Sequence, residues 1–349
     1  MRACSSRGLL VFNAALAHYD FVQLPVYSFT RGYGDWVAGI YMDEFAETHG
    51  KDLPVREHLS GFIPCAGVSA CFSRLAIDKM VHSETGMVFK AGALTEDYDA
   101  AFRLASLGLR PAFIAWTAPY YMDTLRGRGA PQLVRQPMTV ATREHFPSGF
   151  RAAWRQRARW ILGIALVGAK ELGWQGSLGT RFFLARDRKG LVAIPAVMFG
   201  YVLFVAYVSV RLALHFTAPQ VTGSELMASQ AALWLISLSL LLALWRLAHR
   251  VYFTTRLHGW RHGLVAAPRM VVSNFVNFFA VCRAIRLYAL HRLVGRPLAW
   301  DKTAHTYPDS LPSQLPSLFR PMGSGASPQS LEQAAQEELE RAMASRPKR

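Results

Sequence analysis

The 349-residue chain is short of charge, and shortest of negative charge. Asp, Glu, Lys and Arg make up 18% of it, against about 25% in an ordinary globular domain, which argues against a wholly water-exposed molecule. Acids number 23 against 39 Lys and Arg, a formal net charge of +16. From Arg188 to Arg296 one acid, Glu225, stands among twelve bases. Cysteine is equally scarce. Cys4, Cys65, Cys71 and Cys282 contain no CxxC pair, so neither a zinc ribbon nor a disulfide framework is indicated, and all four read as reduced thiols. No internal repeat is present.

What the chain has instead is apolar sequence. Hydrophobic residues are 52% of the total and the mean hydropathy is +0.15. A pI near 10.1 would suggest nucleic acid if the bases formed one polar face. They flank long apolar runs instead, which points to a membrane and away from nucleic acid. Residues 191–210 and 226–245 carry no Asp, Glu, Lys or Arg except Glu225 just outside, and about 20 apolar residues cross a bilayer core as a helix. Arg181, Arg186, Arg188 and Lys189 precede the first run, and Arg246, Arg250, Arg256 and Arg261 follow the second. The positive-inside rule then places both flanks in the cytoplasm.

The rest of the chain divides around these two spans. Residues 1–148 alternate short apolar stretches, turn residues and helical patterns, a soluble α/β composition. Residues 149–190 mix Arg151, Arg155, Arg157 and Arg159 with Trp154 and Trp160, the composition of an interfacial helix region with aromatic anchors. Within residues 248–309, Arg269, Ser273 and Asn277 recur at i, i+4 in an otherwise apolar run. Basic flanks on both sides of that run favour a helix lying in the membrane surface over a third span. Residues 310–349 read as a linker or disordered tail with one short amphipathic helix, Ser330 and Gln333 forming a capping box. At the other end, Arg2 and Arg7 ahead of an apolar stretch match a signal peptide. The loop charges oppose export, and an ordinary helix of the first domain is the preferred reading.

Two short motifs carry chemistry. In Thr95-Glu96-Asp97, the apolar positions Tyr98, Ala101, Phe102 and Ala105 that follow have helical spacing, and Gly108 supplies a stop. Thr95 is then an N-cap, with Glu96 and Asp97 in the first turn, where the helix dipole favours carboxylates. A carboxylate held there can take a proton from a hydroxyl. Acids are generally enriched at helix N-termini, so the motif alone is weak. In Gln156-Arg157-Ala158-Arg159-Trp160, an arginine fork suits phosphate oxygens and an indole face suits a sugar ring. Alone, Arg and Trp beside apolar helices are also ordinary interfacial anchors.

Jointly they are more specific. A TED motif about 60 residues before QxxRW, followed at once by membrane spans, resembles the membrane-bound members of glycosyltransferase family 2, the family of cellulose and hyaluronan synthases. Phe21-Val22-Gln23-Leu24-Pro25-Val26, Tyr41-Met42-Asp43-Glu44-Phe45, Ile63-Pro64-Cys65-Ala66-Gly67-Val68, Arg186-Asp187-Arg188-Lys189-Gly190 and Trp300-Asp301-Lys302-Thr303-Ala304-His305 add to the likeness, which covers roughly residues 9–308. The resemblance implies an α/β fold, the C-terminal part of a GT-A type glycosyltransferase domain, followed by transmembrane and interfacial helices. It also implies inverting transfer of a sugar from a nucleotide-sugar donor to an envelope glycan acceptor. Asp97 matches the base that deprotonates the acceptor hydroxyl, with Glu96 its motif neighbour. Gln156, Arg159 and Trp160 match the substrate-binding QxxRW residues: Arg159 toward the donor diphosphate, Trp160 under the acceptor. Gly67 falls in a small-residue turn near the acceptor, where backbone can approach the sugar. His305 is placed by the same likeness in a loop over the site or in a plain polar loop.

The departures matter too. The family holds Mg or Mn on the donor diphosphate with a DxD motif in its first half. No DxD precedes residue 21 here, so metal ligands are not assigned and the chain reads as an amino-terminally truncated enzyme. The partners expected are a nucleotide sugar, a glycan acceptor, the bilayer of the bacterial inner membrane and envelope proteins. The alternative is a non-catalytic membrane scaffold or adsorption factor derived from a glycosyltransferase.

Overall fold

A computed structural model describes residues 6–81, 86–90, 92–124, 132–217, 230–298, 337 and 339–342. The first unit is built on α1 (Ser6–Leu16), β1 (Phe21–Gln23), β2 (Val26–Ser28), α2 (Trp36–Glu47), a π-helical turn Thr48–Asp52, α3 (Leu53–Ser60), β3 (Ala70–Phe72), α4 (Arg74–Met80) and α5 (Glu96–Ser106). It continues through β4 (Pro111–Phe113), the antiparallel pair β5 (Thr117–Thr124) and β6 (Gln132–Thr139), and β7 (Thr142–Glu144). In a three-stranded sheet ordered β3-β1-β4, β1 runs antiparallel to β3 and parallel to β4, pairing Val22 with Cys71 and with Ala112. A second, parallel pair joins β2 to β7.

Alternation along β1 divides the core in two. Phe21 packs on one face with Phe62, Tyr98, Phe102 and Phe113. Val22 and Leu24 pack on the other with Ala112, Ile114 and the buried face of α1, namely Val11, Phe12, Ala14 and Ala15. The apolar stretch near the amino terminus is therefore part of this core. The helical spacing after Thr95 also holds: Tyr98, Ala101 and Phe102 are buried in α5. Thr95 stands at the N-cap position but its hydroxyl makes no capping bond. Cys71 lies in β3 and Cys65 in the loop before it; these two and Cys282 form no disulfide among the described residues, and Cys4 lies outside them.

The second unit comprises α6 (Phe150–Trp160), a longer π-helical segment Ile161–Val167, α7 (Gly168–Leu172), α8 (Leu178–Arg188), α9 (Gly190–Thr217), α10 (Gln230–His258) and α11 (Trp260–Val294). Among the described residues three helical stretches are long and apolar enough to cross a membrane: Gly190–Thr217, Leu233–His258 and Trp260–Val294. The first run expected as a span falls in α9 and the described part of the second, residues 230–245, in α10. The third qualifies by length and composition although its polar stripe suggested a surface helix. That stripe faces protein, not headgroups: Arg269 is fully buried and its Nε and Nη2 donate to Asp43 of α2 at 2.8 and 2.7 Å, while Ser273 Oγ donates to Glu44 at 2.7 Å. From α10, Arg250 Nε donates to Glu47 at 2.7 Å and Thr254 Oγ1 to Asp43 at 3.2 Å. Burial pushes Asp43 up to about 6 against the pull of Arg269 and Arg250. The acids of α2 thus bolt the helical unit to the sheet unit. The loop joining α9 to α10, the 299–309 stretch containing His305, and most of the tail, including Ser330 and Gln333, lie outside the described residues.

Candidate functional site

A cavity of about 670 Å³ opens between the two units. The sheet side contributes the loop Pro64–Val68 and the start of α5; the helical side contributes α6, the segment Ile161–Val167 and the end of α8. Gly67, Glu96, Asp97, Gln156, Arg159 and Trp160 all line it. Residues up to 93 positions apart in sequence are brought to one cavity by the docking of α6 against α2 and α11.

The Gly67 turn is held by a side chain that sequence reasoning did not single out. Gln23 is wholly buried; its Nε2 donates to the carbonyls of Val68 and Ser69 at 2.9 and 3.1 Å, and its Oε1 accepts from Ala66 N–H at 2.9 Å. One amide therefore satisfies three backbone groups of a turn in which Gly67 has φ +69°. A Cβ on Gly67 would stand 2.8 Å from Asp97 Oδ2, so the absence of a side chain is what lets the backbone lie against that carboxylate. Asp97 Oδ1 accepts from Tyr98 N–H at 2.8 Å. Burial raises the Asp97 pKa above the ordinary carboxylate range; the Tyr98 N–H and the Arg159 guanidinium pull it down and the Glu96 charge pushes it up.

A second close approach fixes the TED turn from the opposite side. Gly163, in the π-helical segment after QxxRW, lies so near Thr95 that a Cβ would meet Thr95 Oγ1 at 2.7 Å. Trp160 meets Tyr41 edge-on, with centroids 6.3 Å apart, and lies near Phe45. Gln156 Oε1 is buried without a hydrogen-bond partner among the described residues, an acceptor left over on the cavity wall.

The far wall was not anticipated. Arg56 makes a two-pronged pair with Asp187, at 3.0 and 2.8 Å, and Tyr98 Oη donates to the same carboxylate at 2.6 Å. Arg186 pairs with Asp52 at 2.6 Å. His49 is buried beside Phe45 and burial pushes its pKa down to about 4, so it is neutral. Cys65 is also on the wall, its thiol pushed up to about 12 by burial and by the Asp97 and Glu96 charges. The sequence signal for this wall was the Arg186-Asp187-Arg188-Lys189 run; nothing local tied it to Asp97. Among the described residues no three His, Cys, Asp or Glu converge on a metal position, and two of the cavity acids, Asp52 and Asp187, are taken by arginines. The described residues thus do not form a built metal site.

The family model for glycosyl transferase family group 2 matches residues 7–290. The chain belongs to this family. Over 327 residues it is 37% identical to bacteriophage adsorption protein B of Escherichia coli strain K12, and equally to bacteriophage N4 adsorption protein B of Escherichia coli O157:H7. The alignment takes in 90% of this chain but 42% of each relative, so the chain spans under half the length of the curated relatives it matches. No solved structure matches it significantly. Three helices long and apolar enough to cross a membrane accompany the family assignment.

Proposed function

We propose that the chain performs inverting transfer of a sugar from a nucleotide sugar to an envelope glycan acceptor at the cytoplasmic face of the bacterial inner membrane, with Asp97 as base. The supporting observation is that one cavity gathers Asp97, Glu96, Gly67, Gln156, Arg159 and Trp160 from two units of the fold. The acceptor hydroxyl oxygen attacks the anomeric carbon, the bond from that carbon to the diphosphate oxygen breaks, and Asp97 takes the hydroxyl proton. The nucleoside diphosphate leaves with the bonding pair. Arg159 holds the diphosphate, Trp160 floors the acceptor, and the spare Gln156 carbonyl accepts from a sugar hydroxyl. A raised carboxylate pKa suits this task, because a base is most useful near the working pH.

The membrane reading rests on two further features. Lys189, on the cavity wall, directly precedes the first residue of α9, and the last third of α10 packs on α2, which supports both span ends lying on the α/β side. The outer face of α8 exposes Leu178 and Phe182 beside that junction, a surface suited to the headgroup boundary.

The test is Asp97→Asn in the membrane-reconstituted protein. Transfer should fall by about 10²-fold or more with protein level unchanged. Undiminished turnover by this variant removes Asp97 as base, and turnover by no form of the protein favours a scaffold.

A further inference from the structure

Four of the five residues in Gln156-Arg157-Ala158-Arg159-Trp160 have polar or aromatic side chains, and three of those four line the cavity. Arg157 does not. It is buried on the other side of α6, with Nη1 donating to Glu44 Oε2 of α2 at 2.7 Å and to Asn277 Oδ1 of α11 at 2.8 Å. Its guanidinium carbon lies 4.6 Å from the Tyr41 ring centroid. Ser273 Oγ donates to Glu44 Oε1 at 2.7 Å, and Asn277 Nδ2 donates to Ser273 Oγ at 3.1 Å. The bonds close a ring: Arg157 to Glu44, Glu44 to Ser273, Ser273 to Asn277, and Asn277 back to Arg157. One ring therefore joins α6, α2 and α11.

Such a ring is a poor way to gain stability. Nε and Nη2 of Arg157 are buried without hydrogen-bond partners among the described residues, and burying a cation so incompletely paired costs more than an apolar side chain of the same size. What the ring supplies is a single geometry. Donor and acceptor positions on three helices must coincide, which fixes the rotation and height of α6 where nonspecific apolar packing would tolerate sliding.

We propose that Arg157 is a positioning residue: through it, Glu44 and Asn277 set the placement of Gln156, Arg159 and Trp160 opposite Asp97. The inference rests on the sugar-transfer reading for its kinetic consequence and on the ring alone for its structural one. It also refers the motif to α11, one of the helices long enough to cross a membrane, so displacement of α11 moves the substrate-binding side chains.

Asn277→Ala in the full chain, in lipid nanodiscs, opens the ring at its gentlest point. Arg157 keeps Glu44, and Glu44 keeps Ser273 and the Arg250 guanidinium 3.9 Å away, so no buried charge is stranded. Hydrogen exchange should quicken in α6 while α1 and α5 stay protected. With the donor that the wild type turns over, kcat should fall by about tenfold or more, since a misplacement of about 1 Å can cost about 10²-fold. The losses from Asn277→Ala and Trp160→Phe should combine less than additively, because both act through Trp160. A merely structural role would leave kcat per folded molecule unchanged and the two losses additive, and either result overturns the proposal. If the wild type transfers no sugar, the transfer reading fails by itself, and exchange decides: unchanged protection of α6 overturns the positioning role and selective loss supports it.

Discussion

Replacing Gly67 by Ala tests the contact that places backbone against the proposed base. Two costs can be separated. The first is conformational: at φ +69° an alanine is in the left-handed region, which costs a residue with a Cβ about 1–2 kcal/mol. The second is steric and local. The new methyl stands 2.8 Å from Asp97 Oδ2, where ordinary van der Waals contact begins at 3.4 Å, so the carboxylate must retreat by roughly half an ångström or the turn must open. The turn resists, because Gln23 holds Ala66, Val68 and Ser69 together. Asp97 therefore moves, its bond from Tyr98 N–H is strained, and the methyl shields it further from water. Both changes push its already raised pKa higher. Transfer at neutral pH should drop about 10- to 100-fold. The acid limb of the rate profile should shift to higher pH, because the base must be ionised and the rate is lost as pH falls through its pKa. Thermal unfolding should show a loss of about 1–3 kcal/mol. In an Asp97→Ala background the steric part disappears, leaving only the conformational cost. Equal destabilisation by Gly67→Ala with and without the Asp97 carboxylate, together with an unmoved acid limb, would refute the argument.

Three further outcomes follow from the same geometry. Gly163→Ala drives a methyl into Thr95, so it should slow transfer and destabilise by about 1–3 kcal/mol; Thr95→Ala should restore part of both, measured by transfer assay and thermal melt. Arg269→Met leaves Asp43 buried without its two-pronged partner and should cost about 3–5 kcal/mol. Asp43→Asn on top of it should recover stability, and a double variant no better than the single one contradicts the pairing. Cys65, buried with its thiol pushed up to about 12, should stay unmodified by iodoacetamide at pH 8 in the folded protein and react fully once unfolded; rapid labelling under native conditions would show the cavity wall to be open there.

Much of this architecture could be read from local pattern because the signals are local. Helical spacing after Thr95, uncharged runs long enough for a bilayer, and the two motifs need only neighbours in sequence. What local pattern could not supply is the partner of a polar residue. Arg269, Ser273 and Asn277 share a helix face whether they meet lipid headgroups or protein, and only the acids of α2, over 220 residues earlier, decide between them. Arg157 and Arg159 are chemically alike in the motif, yet one faces Glu44 and the other the cavity. Gln23 stood only as one residue of the Phe21–Val26 stretch, and its capacity to hold three backbone groups appears only when the 64–69 loop is folded over it. The π-helical segments around His49 and Gly163 had no sequence mark, although both sit on the cavity wall.

The scarcity of acid in the helical half has a physical counterpart in the fold. Fourteen of the 23 acids precede residue 150, and four of them face cations from the helical unit: Asp43 with Arg269, Glu44 with Arg157, Glu47 with Arg250, Asp52 with Arg186. The net positive charge of the helical unit is therefore partly matched by α2 and the turn after it, the Asp43 and Glu47 pairs being the least exposed. Separating the halves would leave α2 with three carboxylates on a surface shaped to be covered, and would leave Arg157, Arg250 and Arg269 among apolar helices without counterions. The second is the costly one, at several kcal/mol for each cation that stays buried without a partner. The sheet unit and the helices are thus matched to each other in charge, and the cavity is lined from both.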